Sequence, residues 1–171
     1  MGYLQAGTSG HNRGMLYHQK ITVGSEGDGY HDTFFPVWWW GHPSSWGHRR
    51  MIISRSYNAN GPSVHGTHKA GLQFEWICGN DDWGGHSHAA TIVHYSWNYR
   101  QCIANAGGTA HYMKNYVLLR AGGYEYNITT EGFEPSLTIG NHTSNQPTYV
   151  SGSQTYLSAT TTTSLNQKAY Q

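Results

Sequence analysis

Charge is scarce in this chain. Only 11% of its 171 residues are Asp, Glu, Lys or Arg, and the formal net charge is +1. So weak a field does not draw a protein onto nucleic acid or an anionic membrane. Apolar runs are short, none nearing the roughly 20 residues of a membrane-spanning helix, and no segment keeps a helical hydrophobic period over a useful length. Residues 1–10 lack the basic and apolar regions of a secretory signal peptide. Cysteine is limited to Cys78 and Cys102, with no CxxC and no zinc-type cluster. A disulfide would need neighbouring strands; two buried thiols, as in a protein assembled in a reducing cytoplasm, are the expected state. No internal repeat suggests a solenoid enzyme, and no Gly-x-Ser-x-Gly elbow is present.

What the chain does have is aromatic residues, at 14%, and 22 glycines, a pairing that suits short strands joined by tight turns. The length fits one domain with a real core. The most distinctive stretch is 33–48, TFFPVWWWGHPSSWGH. It opens with strand-forming residues and ends in a loop punctuated by Gly41, Pro43 and Gly47. Alternation places Trp38 and Trp40 on one face of the strand and Trp39 on the other, so one face can enter a core while the other meets a partner. The plainer alternative, that these tryptophans are core, is expected for at least one of them.

Residues 1–20 are polar and Gly-rich and are expected to be a lead-in segment. Residues 21–140 read as the folded domain. Strands are expected at 21–23, 34–40, 51–55, 72–78, within 86–99, and at 116–120, 124–129 and 136–139. Turns are expected at 24–29, 58–66, 80–85 and 122–123. The best alternation runs from Leu72 to Cys78, with Leu72, Phe74, Trp76 and Cys78 sharing a face. Trp76 and Trp97, both in mid-strand, are expected to be buried, and Glu75, on the opposite face from Trp76, to be solvated. Residues 141–171 are Ser/Thr/Gln-rich with few apolar residues. They suit an extended segment packed on a neighbouring subunit, or disorder.

Several of these pieces together resemble the C-terminal receptor-binding domains of tailed-bacteriophage tail fibres: DTFFPV (32–37), MIISR (51–55), LQFEW (72–76), NDDWGGHSH (80–88) and YVLLRAGG (116–123). The resemblance covers about residues 21–150. It implies a virion protein, assembled in the host cytoplasm, that forms parallel homotrimers and binds a bacterial surface receptor. Some such fibres also present His-x-His pairs from three chains to one transition metal on the axis, which makes His86 and His88 the metal candidates.

The residues themselves point to recognition more than to catalysis. Trp38, Trp39, Trp40, Trp46 and Trp83, with Tyr30 and Tyr57, sit beside turn residues, where aromatic faces can pack on sugars or anchor a protein partner. His42 and His48 flank Trp46, and Asp81 and Asp82 precede Trp83, so these residues are candidates to bind hydroxyls. Asp81-Asp82 as an acid/base pair is weaker, because adjacent aspartates in a turn usually cap backbone amides. The twelve histidines, including His65 and His68 on either side of a turn, read as polar surface groups. The expectation is therefore an all-β, antiparallel, sandwich-like domain, working as a homotrimer. It would be a non-enzymatic adhesin for a surface glycan, lipopolysaccharide or outer-membrane protein, with no required cofactor and no nucleic-acid or membrane-insertion role. The alternatives are a free-standing lectin-like module and an enzyme acting on surface polysaccharide.

Overall fold

The computed structural model describes residues 16–40, 49–78, 90–108, 114–131, 137–141, 145–150 and 153–158. The chain is all-β there apart from one 3-10 turn, Ser63–His65. Eleven strands form: β1 Leu16–Val23, β2 Phe34–Trp40, β3 Arg49–Arg55, β4 Gly71–Cys78, β5 Ala90–Asn98, β6 Ile103–Gly108, β7 Lys114–Arg120, β8 Tyr124–Glu131, β9 Leu137–Ile139, β10 Asn145–Val150 and β11 Ser153–Ser158. They make a five-stranded sheet in the order β1-β8-β3-β4-β5, a four-stranded sheet β6-β7-β2-β9 and a two-stranded ribbon β10-β11. Every pairing is antiparallel. No helix among the described residues is long and apolar enough to cross a membrane.

Alternation explains which face is buried. On β8, Tyr124, Tyr126, Ile128 and Thr130 point inward and Glu125, Asn127 and Thr129 do not. Opposite them, Ile53 pairs with Ile128 and Met51 with Thr130, so one face of the sheet is continuously apolar. Leu72, Phe74 and Trp76 extend it on β4. The other sheet contributes Phe35, Val37, Val117, Leu119 and Ile103 to the same buried cluster. Truncating Phe74 or Trp76 to Ala, both fully buried, should cost about 3–5 kcal/mol.

The outer face of the five-stranded sheet is polar, with the Lys20–Glu125 and Arg50–Glu75 ion pairs at 2.7 and 2.5 Å. Glu75, expected to be simply solvated, is held there by Arg50. Two arginines, Arg55 buried and Arg120 partly buried, tie turns to the frame. Arg55 donates from Nε to the Ala70 carbonyl at 2.6 Å, from Nη1 to Glu125 O and from Nη2 to Ala59 O, with its guanidinium 4.3 Å from the Tyr124 ring. Arg120 donates to Gln101 O at 2.6 Å.

Several boundaries differ from those the sequence suggested. β1 reaches back to Leu16, where its polar residues pair with β8 through the backbone ladder. β6 was not anticipated, because IANAGG offers no alternation to read. In the tail, residues 145–150 and 153–158 pair with each other as a hairpin. Cys102 is free and buried, and burial pushes its thiol pKa up to about 11. Cys78 closes β4.

Candidate functional site

One end of the β3–β4–β5 region gathers aromatic and amide side chains around an open groove. Its volume is about 450 Å³, and its lining is Arg55, Ser56, Tyr57, Gly71, Leu72, Gln73, Ser96, Trp97 and Asn98. The register brings these together: Gly71 pairs with Asn98, Leu72 with Trp97 and Gln73 with Ser96, while Arg55 pairs with Leu72 on the other side. The Asn98 carboxamide lies over Gly71 and would have to turn aside for a Cβ there. Gln73, Ser96 and Asn98 are all exposed, and the Ser96 hydroxyl lies 3.1 Å from His94 Nε2.

Beside the groove Tyr57, His68 and Tyr99 form a three-ring cluster. The Tyr57 and His68 rings stack at 5.4 Å with 9° between planes. Tyr99 lies 4.9 Å from His68 and 5.6 Å from Tyr57. Tyr57 is anchored by its backbone, whose carbonyl accepts from Lys69 N at 2.9 Å. The cluster remains open, with Tyr57 41% and Tyr99 57% exposed, and Trp97 in the groove lining is 45% exposed.

Tyr99 is held there at a cost. Its φ is +63°, the only positive φ of a non-glycine residue among those described, and the Arg100 N–H donates to the Asn98 carbonyl at 2.8 Å across it. That is a tight three-residue turn with a tyrosine at the strained centre. Left-handed backbone costs an L-residue roughly 1–2 kcal/mol. Backbone strain of this kind clusters at ligand clamps and switch regions, which makes Tyr99 a candidate position.

A second cluster lies where three turns meet: 24–33, Ser63–His65 and the Gly122-Gly123 crossing between sheets. His65 Nδ1 is 2.6 Å from Tyr124 Oη. Its Nε2 is 3.5 Å from one Asp32 oxygen, and His31 Nε2 is 3.4 Å from the other. Arg120 donates to Asp32 at 3.1 Å. Burial, then the positive charge of Arg100, holds the His65 pKa below its ordinary value. Gly122, with φ +83°, lets the chain pass His31; a Cβ would sit 2.5 Å from the His31 Cα. Asp28 caps the first of these turns, accepting from Ser25 N and Tyr30 N at 2.8 Å.

The sequence candidates fare unevenly. Trp38 is half-buried in β2. Trp39 and Trp40 belong to the same strand, with side chains outside the described residues. His42, Trp46, His48, Asp81, Asp82, Trp83, His86 and His88 also lie outside them. Trp76 is buried as expected, but Trp97 is not. Among the described strands β5 is at the edge of its sheet, whereas β4, which carries Trp76, is flanked on both sides. Tyr30 packs half-buried against the core, 5.6 Å from Phe35. His65, expected on the surface, is buried. Tyr99, Asn98, Gln73 and Ser96 were missed as site residues; the only sequence signal near them was the polar break after Trp97. Comparison with protein-family models, with curated proteins and with solved structures returned no match.

Proposed function

We propose that this domain is a recognition module for a bacterial surface glycan: the receptor-binding tip of a tailed-bacteriophage tail fibre, sandwich-like in build and trimeric when working. The observation that carries the reading is the strained, exposed Tyr99, held against Tyr57 and His68 beside a groove lined with amide and hydroxyl groups. Flat aromatic faces pack on the C–H faces of sugar rings, and neighbouring amides and hydroxyls bind their hydroxyls. Among the described residues the groove lining contains no Asp or Glu, whereas hydrolysis of a glycosidic bond ordinarily calls for two carboxylates flanking it. Binding without cleavage is the chemistry this lining suits.

The test uses labelled domain on intact host cells. Periodate oxidation of the cell surface, which destroys sugar diols, should abolish attachment, while mild protease treatment should leave it. The opposite pattern would assign the receptor to an outer-membrane protein. Tyr57→Ala should weaken attachment by about 2 kcal/mol, the scale of an interface hot spot.

A further inference from the structure

We propose that His31, Asp32 and His65 form a three-ligand site for a divalent first-row transition metal ion, of which zinc is the fitting probe. Each residue offers one ligand atom, and the three atoms lie within 4.8 Å of one another. Zinc bonds of about 2.0–2.1 Å in tetrahedral geometry set neighbouring ligand atoms about 3.3–3.4 Å apart. The separations are 3.4 Å for His31 Nε2 to Asp32 Oδ2 and 3.5 Å for His65 Nε2 to Asp32 Oδ1. One edge, His31 to Asp32 Oδ2, therefore already has tetrahedral spacing, and the third ligand atom lies within 4.8 Å of the other two.

The surroundings orient the ligands. His65 is fixed through its other nitrogen by Tyr124 Oη at 2.6 Å, the arrangement that ligating histidines usually show. Should Tyr124 donate to Nδ1, the Nε2–H faces Asp32; should Nδ1–H donate instead, Nε2 presents its lone pair to a cation. The ring keeps one orientation in both cases. Arg120 binds one Asp32 oxygen and leaves the other to the ion. Its charge weakens the site relative to a closed structural zinc centre. Access is open, since the Asp32 side chain is 69% exposed and that of His31 33%. Imidazole nitrogens select zinc, copper, nickel or iron over calcium and magnesium. An ion here would clip the 24–33 turn to the Ser63–His65 turn, and its fourth position would hold water.

Calorimetric titration of the full EDTA-stripped chain with zinc chloride tests the proposal. His31→Ala and Asp32→Asn should each remove one zinc per chain, or weaken that ion's binding at least about tenfold. His86→Ala/His88→Ala should leave it in place. Asp32→Asn keeps an oxygen for Arg120, so it stays informative if His31→Ala misfolds. A chain that takes up no zinc overturns the proposal, as does a stoichiometry and affinity unchanged in both variants.

Discussion

Tyr99 carries most of the functional argument. Replacing it with Gly relieves about 1–2 kcal/mol of left-handed strain and adds about 0.5–1 kcal/mol of unfolded-state entropy. The variant should therefore be as stable as the parent or up to about 1.5 kcal/mol more stable, and it should bind receptor less well. Chemical denaturation together with a binding assay reads both, and a loss of stability would mean that the ring serves packing instead. His65 supplies a second, separate expectation. Its folded-state pKa lies below the ordinary 6.5, so as pH falls through that value the unfolded chain takes up a proton that the native chain resists. Stability should decline below about pH 6.5 and hold above it. His65→Gln should flatten this part of the profile in melts taken between about pH 7.5 and 5.

Among the elements, β5 combines edge exposure with irregularity. A bulge opposite Glu75/Trp76 breaks its register with β4, and Val93 and Trp97 are exposed. Tyr95, between them, packs partly on the core, with its buried Oη lacking a partner among the described residues. Burial pushes its pKa up to about 12. An orphaned buried hydroxyl costs about 1–3 kcal/mol, so Tyr95→Phe should be neutral or stabilising by about 1 kcal/mol in a denaturant titration. Strands with clean alternation, β4 and β8, were legible in the sequence because side-chain period alone decides which face is buried. β6 and the start of β1 were not, since their pairing is set by backbone register with strands far away in sequence. The groove was illegible for the same reason: it joins residues 55–57, 71–73 and 96–98, and the positive φ at Tyr99 has no signature in residue type. Trp97 was misjudged because the sequence does not say which strand is an edge.

At the scale of the whole molecule, the two large sheets share one core, but the β10–β11 ribbon is a two-stranded sheet of its own. Such a ribbon is marginal in water without further packing. In the proposed homotrimer a neighbouring subunit supplies that packing, and light scattering at micromolar concentration should give three chains' mass; a monomer would remove the trimer. The central claim, recognition of a glycan by the aromatic groove, is tested most directly on an array of bacterial surface glycans probed with the full chain and with Tyr57→Ala/Tyr99→Gly. We expect the parent to bind a restricted set of glycans, and the double variant to lose them while keeping its circular dichroism spectrum. A blank array for the parent, or the same glycans bound equally by the variant, would contradict it.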